Sequence, residues 1–427
     1  MGQLHLYFGT SCEESKPLML NKSHLLKPKE FLKYDWQLIV AVVLVCTFGL
    51  AFLASSLNIQ PDSYWQELGK QFAVGLGFGG IMTVILARTD YHLWTKHKNT
   101  LAIITLTMLG FVAFFATLVF FIKGNSEKIA FINKFSWLPI RPHIANGAVR
   151  WIDLSFGLPN IQPSEIAKIT TLIFFAGYLP KKLGQGLGWM TLKQPLWYLG
   201  LVAGLILIQP DLGTTIMIVI IVLSAMWTAN VPRQILSRII LVGALVSALL
   251  IIATPYRLQR FAIYANVFTS GGKGVNNEED RQQVANIQYA LQNGGWLGKG
   301  YGNSEWKQAG KIYEASTDSI IAVIGEEVGF VGTIAFLGLY LWIFARAMTI
   351  ANDSIDLEGK MIATGIGVWI FSQVFLNTTG MTGLIPMKGL PLPFVSQGGT
   401  ALVMNLIGIG ILLNISSQRK SIVAKRT

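Results

Sequence analysis

Long apolar stretches separated by short polar ones recur along nearly the whole chain. Those long enough to cross, or nearly cross, a hydrocarbon layer roughly 30 Å thick begin near Trp36, Gln71, Thr100, Ile166, Pro195, Leu212, Ser237, Ser319, Met361 and Gly399. The pattern predicts about ten membrane helices, with a short one beginning at Pro195. No linker divides the array and no inverted repeat is visible, so one all-α polytopic bundle is expected. Residues 1–35 read as a cytoplasmic arm, 36–415 as the transmembrane domain and 416–427 as a basic cytoplasmic tail.

Composition agrees with the pattern. Of 427 residues, 52% are hydrophobic and 13% charged, and the mean hydropathy of +0.50 excludes a soluble enzyme. The basic residues fix an expected orientation. Lys16, Lys22, Lys27, Lys29 and Lys33 place the N-terminus in the cytoplasm. Alternation then puts Arg88, Lys96, Lys98, Lys181, Lys182, Lys193, Arg233, Arg238 and the cluster Arg419 to Arg426 on the same side. The connections 123–164 and 255–317 fall outside; they also carry Lys and Arg, but long connections weigh little in this rule. Topology and attraction to anionic lipid account for the net charge of +12 without a nucleic acid partner. Nothing at the N-terminus resembles a cleavable signal. Cys12 lies in the arm and Cys46 in the first span, so a disulfide between them is not expected.

The connection 255–317 is too long for a passive turn. Within it, residues 281–292 read as a helix, with Val284, Ile287 and Leu291 at spacings of three and four, ended by Asn293-Gly294-Gly295. Glycines 295, 298, 300 and 302 then supply a tight, adaptable path.

Five polar segments lie at the exterior edge. Asp318 and Glu326 stand eight residues apart at the start of a span, which on a helix is a rotation of roughly 80° and a rise of roughly 12 Å, so the two share a cavity face. Glu327 points away from Asp318; pairing with a neighbouring Lys or Arg is its plain alternative role, because carboxylates in a span face a cavity or a partner. Arg150 and Trp151 go with Glu165 and Lys168, which share a helical face and fit either a substrate site or an intrahelical ion pair. Asp211 follows Gln209-Pro210 where two spans meet, as a turn acid or as an ordinary N-cap. Arg257 and Arg260 either snorkel toward lipid phosphates or clamp a pyrophosphate. The fifth segment runs from Asn377 to Thr400 and holds Lys388, Pro391, Pro393, Ser396, Gly398 and Gly399. Its prolines and glycines forbid a continuous helix, and such backbone survives at membrane depth only when buried in protein or lining a watery cavity.

The motifs QPSEIAK (162–168), QPDLGTT (209–215), GYGNS (300–304), STDSIIAVIGEEVG (316–329) and GLPLPFVSQGG (389–399), in this order, closely resemble those of the SEDS family (shape, elongation, division, sporulation). The resemblance covers residues from about Trp36 to Ile415, and Gly302-Asn303-Ser304 with Met387-Lys388-Gly389 is most similar to the division branch. It implies ten transmembrane helices in the bacterial cytoplasmic membrane and polymerisation of peptidoglycan glycan strands from lipid II. A class B penicillin-binding protein (transpeptidase) is the implied partner, beside other division or elongation proteins. The family's catalytic aspartate falls at Asp318, its cavity Glu and Lys at Glu165 and Lys168, and its turn acid at Asp211. The chain departs from the family where Ser316 replaces a frequent His, Ser319 a Phe and Gln397 a Tyr.

The expected chemistry is one inverting displacement. Asp318 takes the proton of the acceptor's sugar hydroxyl while the donor's anomeric carbon loses undecaprenyl pyrophosphate. Arg257, Arg260, Lys388 or Lys168 would meet the leaving-group charge, with room for a divalent cation (Mg2+ or Mn2+) for which the sequence shows no dedicated ligand spacing. A lipid II flippase would use the same charged cavity but needs polar groups on both faces; a scaffold would not need Asp318.

Overall fold

The computed structural model describes residues 33–57, 61–122, 124–135, 140–145, 148–154, 160–252, 278–382 and 389–419. Among these residues, eight helices are long and apolar enough to cross a membrane. They are α1 (Trp36–Ser56), α2 (Tyr64–Arg88), α3 (Lys98–Phe120), α5 (Trp189–Ile208), α7 (Arg233–Ile252), α8 (Ile320–Asp353), α9 (Leu357–Met381) and α10 (Gly399–Ser417). Two shorter ones lie between them, α4 (Pro163–Tyr178) and α6 (Leu212–Thr228). Each apolar stretch of the sequence falls in one of these ten. The arm up to residue 32 and the end from 420 lie outside the described residues.

Helix α4 is the hub. Almost every residue from Pro163 to Gly177 is buried, as expected of a helix apolar all round except for its first turn. It packs against α3, α5, α6, α9 and α10. Helix α10 lies on α2, where Leu402 and Leu406 fill the space that Cβ atoms on Gly75 and Gly79 would need; small residues permit such close approach. Residues Gln71–Phe78 of α2 are wound as a π-helix, a form that often accompanies functional sites. Helix α7 is the least covered, exposing Ile240, Leu241, Leu245 and Leu249.

Two expectations from the sequence need correction, and one connection holds structure that was not expected. Helix α5 starts at Trp189, not Pro195, so it has full spanning length. Pro195 removes the bond to the Thr191 carbonyl, as an internal proline must, and the Tyr178 hydroxyl donates to that carbonyl instead at 3.0 Å. The connection after α3 holds a short helix, Asn125–Asn133, and an antiparallel hairpin of β1 (Ile140–Ala145) and β2 (Ala148–Leu154). Val149 and Ile152 seat the hairpin on Val112, Phe115 and Val119 of α3, and an Arg141–Asp153 ion pair of 2.7 Å joins its strands. Finally, α8 is not one continuous helix.

Its 34 residues would make a rod of roughly 51 Å, much longer than a bilayer core. Gly329, at φ 69° and ψ −171°, interrupts it. The glycine-rich path that follows helix Glu278–Gly294 enters the break. Lys299 and Gly300 donate to the carbonyls of Glu326 and Glu327, while Phe330 and Val331 donate to those of Gly295 and Trp296. Glycines 295, 298, 300 and 302 all have positive φ, and a Cβ on Gly298 would lie 2.2 Å from the Glu327 oxygen. The backbone groups freed by the kink are thus satisfied by loop rather than by water.

Candidate active site around Asp318

Asp318 lies just before α8 and is half-buried. Neighbouring elements pin its strand of backbone at three successive carbonyls. Gln397 N–H donates to Ser316 at 2.7 Å, Ser396 Oγ to Thr317 at 2.5 Å, and Asn377 Nδ2 to Asp318 itself at 2.9 Å. Gly389 N–H donates to the Asp318 carboxylate. Desolvation, together with the charges of Glu314 and Asp211, pushes this carboxyl up to about 7, against the opposing pull of Gly389 N–H and the Arg150 cation. A carboxyl balanced near neutral pH is suited to accept a proton.

Arg150 reaches the site from β2 and donates to the carbonyls of Gln209 and Pro210 at 3.1 and 2.8 Å. Asp211 caps α6, accepting from Thr214 N–H and Oγ1 at 3.1 and 2.8 Å. The resulting group is Asp318, Glu314, Arg150 and Asp211, from three separate parts of the chain. Trp151, next to Arg150, is half-buried opposite His143 in the hairpin.

Residues 389–398 form the wall beside Asp318 and have no regular structure; four of their carbonyls are met by side chains, and that of Leu392 by the N–H groups of Val395 and Ser396. Asn377 donates to Leu390 at 2.7 Å, Gln373 to Pro391 at 2.8 Å, the Tyr340 hydroxyl to Pro393 at 2.6 Å and Gln71 to Ser396 at 3.2 Å. Ser396 Oγ also accepts from Leu392 N–H at 2.8 Å. Gly398 N–H donates to Gln71 Oε1 at 3.4 Å, and Gly399 opens α10. The broken backbone expected here is therefore buried in protein. Two positions where the chain departs from the resembled family meet each other, since Ser316 Oγ donates to Gln397 Oε1 at 2.9 Å. Gln397 Nε2 goes on to Glu67 at 2.7 Å. Ser319 is fully buried, and its hydroxyl has no partner among the described residues.

Lys168 and Glu165 form an ion pair of 2.8 Å with both side chains almost completely buried. Lys168 also donates to Gln373 Oε1 at 3.0 Å and lies over the Trp369 ring. Its charge is matched inside the bundle, which leaves it poorly placed to meet a leaving group. Gln373 accepts from Trp369 Nε1 as well, at 2.9 Å, so the pair is tied through one amide to Pro391.

Glu326 does not share a face with Asp318. The roughly 80° relation assumed a continuous helix, whereas α8 starts at Ile320. Its carboxylate is fully buried and accepts from Ser304 Oγ (2.5 Å), Asn293 Nδ2 (2.9 Å) and the N–H groups of Glu305 (3.1 Å) and Trp306 (3.3 Å). It anchors the long connection. Glu327 accepts from Ser55 Oγ of α1, and the Lys307 ammonium donates to the Ser55 carbonyl. Arg257, Arg260 and Lys388 lie outside the described residues.

Sequence reasoning assigned Gln71, Tyr340 and Gln373 no site role, and Asn377 only a place as the first residue of the fifth polar segment. A signal exists for two of them: Gln373 and Asn377 are amides one turn apart in an apolar span, on one face, immediately before the broken segment.

Residues 129–421 match the family model FTSW_RODA_SPOVE, described as cell cycle protein. A probable peptidoglycan glycosyltransferase FtsW of Trichlorobacter lovleyi is 30% identical over 408 residues, 93% of this chain and 96% of the relative. One of Francisella salina is 37% identical over 289 residues, 64% of this chain and 67% of the relative. Among solved structures, RodA of Thermus thermophilus superposes with a TM-score of 0.63 at 24% identity, over 92% of this chain and 99% of that one. A chain from a peptidoglycan synthase complex that coordinates polymerization and crosslinking reaches 0.69 at 24% identity, over 91% and 98%. At that identity the two structures speak for the fold.

Proposed function

The chain belongs to the FtsW, RodA and SpoVE family of cell cycle proteins, and from that premise we propose that it is a peptidoglycan glycosyltransferase of cell division, polymerising lipid II. The observation that carries the chemistry is the half-buried Asp318 carboxyl, held near neutrality beside Gly389 N–H. In the reaction, the acceptor's sugar hydroxyl forms a bond to the donor's anomeric carbon on the face opposite the leaving group. The bond from that carbon to the pyrophosphate oxygen breaks, and Asp318 takes the hydroxyl proton. Single displacement inverts the anomeric centre, and the two electrons of the broken bond leave with undecaprenyl pyrophosphate. Arg150 is the described cation closest in role to that developing charge, with Arg257, Arg260 and Lys388 as the proposed remainder of the clamp.

A divalent cation enters the proposal only as a companion of the pyrophosphate. Among the described residues no three His, Cys, Asp or Glu side chains gather to hold one, so most of its oxygen ligands would come from the substrate and water, as Mg2+ commonly takes them. The proposed site faces the exterior of the bacterial membrane, with both termini cytoplasmic, and a class B penicillin-binding protein crosslinks the product. Support for such a partner comes from the solved relative that belongs to a peptidoglycan synthase complex.

The test is polymerisation of labelled lipid II by purified protein together with its partner synthase. Asp318→Asn keeps the volume and removes the proton acceptor, so the rate should fall by about 10² to 10⁴, the usual worth of a general base. The wild-type rate should fall on its acid side with a midpoint near 7, where the carboxyl takes up its proton. Undiminished polymer formation by Asp318→Asn would remove the base assignment.

A further inference from the structure

We propose that Asn377 is a positioning residue for this reaction: its amide ties the Asp318 backbone to the 389–396 segment and so holds Gly389 N–H against the Asp318 carboxylate. The inference rests on the assignment of Asp318 as the base and adds the group that aims it.

The geometry closes a ring around one residue. Asn377 Nδ2 has two hydrogens, and they go to two carbonyls, Asp318 at 2.9 Å and Leu390 at 2.7 Å. Both neighbours are pure acceptors, so the NH2 group must face them and the amide has only one sensible orientation. Leu390 directly follows Gly389, whose N–H donates to the carboxylate of the same Asp318. Gly389 has a φ of 90°, a conformation that glycine adopts without cost and other residues rarely do. Leu390 in turn is buried and packs over Gly213, so the segment is seated from below as well as tied from the side.

An asparagine that served only to hold a loop would need one loop carbonyl. This one bridges the loop to the residue that carries the chemistry. Gln373, one turn earlier on the same helix, is the structural counterpart: it holds the adjacent Pro391 carbonyl at 2.8 Å but makes its other contacts with Lys168 and Trp369, not with Asp318. Asn377 is almost completely buried, so it acts through Asp318 and touches no substrate. Two effects follow from loss of the clip. The carboxylate loses a hydrogen bond that favours its charged form, which raises its pKa further, and it loses the alignment that proton transfer requires.

The experiment compares Asn377→Leu, Gln373→Leu and Asp318→Asn with wild type in the lipid II polymerisation assay across pH, alongside thermal unfolding in detergent. The midpoint of the acid limb does not depend on what fraction of the enzyme is folded, so partial misfolding lowers the plateau without moving it. For Asn377→Leu the expected result is a folded protein, a KM close to wild type, a kcat lower by about tenfold or more, within the range a general base can supply, and an acid limb moved to higher pH. Gln373→Leu is expected to lose stability with its acid limb in place. An unmoved limb in Asn377→Leu, an unchanged kcat, a raised KM in place of a lowered kcat, or failure of that variant to fold overturns the proposal. So does a limb that moves equally in Gln373→Leu, or a loss beyond about 10⁴-fold, which exceeds the worth of a base and marks a collapsed site. Full activity of Asp318→Asn defeats the underlying base assignment, whereas wild-type behaviour of Asn377→Leu beside an inactive Asp318→Asn defeats the positioning role alone.

Discussion

Asp318 must be desolvated enough to bind a proton at neutral pH and exposed enough to meet a hydroxyl. Its folded-state pKa of about 7 stands above the ordinary 3.8, so the folded protein retains a proton that the unfolded chain has released between those two values. By linkage this group favours the folded state at low pH, and that contribution is lost as pH rises toward and through about 7. Asp318→Asn should therefore unfold at a higher temperature than wild type above pH 7, with the gap closing as pH falls toward 4. Melting curves in detergent across that range check the sign, and a gap that widens on acidification would contradict it. Residues whose chemistry is carried by charge were legible in the sequence, because a carboxylate or ammonium in an apolar span stands out. What each charge does was not. Glu326 looked like a cavity acid and is an anchor, because the donors that consume it come from Asn293 and residues 304–306, far away in sequence. Gln373 escaped notice, and Asn377 was met only as the start of a polar segment, for the opposite reason: a neutral amide barely disturbs the hydropathy pattern, yet its two-sided hydrogen bonding suits it to holding bare backbone.

The ten helices were legible as elements because an apolar run of spanning length has few alternatives in a chain of this composition. Their interruptions were harder to place. Pro195 suggests a helix start, and only Tyr178, from the preceding helix, makes it tolerable inside one. Gly329 sits in an apolar run where glycine is common in membrane helices, and its positive φ depends on the glycine path at 295–302 that enters the break. Gly329→Ala tests this pairing. An alanine Cβ would lie 2.3 Å from the Gly298 nitrogen and 2.7 Å from atoms of Leu297, all backbone that cannot turn aside, at a φ that L residues rarely adopt. The expected cost is about 2 to 4 kcal/mol, typical of steric strain at a special backbone position, together with faster amide hydrogen exchange at 295–302. An alanine variant with wild-type stability and exchange would show that the loop does not depend on the break.

For the molecule as a whole, the positive-inside rule applied to the sequence predicts an orientation that labelling can test. By that rule the end of the bundle that carries Arg88, Lys96, Lys98, Lys181, Lys182, Arg233 and Arg238 would be the cytoplasmic one. At that end Asp35, which caps α1, is gripped by Arg346 of α8 and by Arg419 beyond α10, joining the first and last spans. With Cys12 and Cys46 replaced, Gln308→Cys should react with an impermeant thiol reagent added outside whole cells, and Gln185→Cys should not; both positions are exposed. The reverse result would put Asp318 in the cytoplasm and end the proposed reaction. The wall beside Asp318 carries a further consequence for the architecture. Loops elsewhere on a protein absorb extra residues because their backbone is hydrated, but the carbonyls of Leu390, Pro391, Pro393 and Ser396 each have one assigned donor, from α9, α9, α8 and α2 in turn. Adding or removing a single residue there would move every carbonyl after the change out of step with its donor, so this stretch is fixed in length as strictly as a helix is in pitch. Evolution can vary its side chains, and can lengthen the connection around residue 185, while the ruler between Gly389 and Gly399 stays the same.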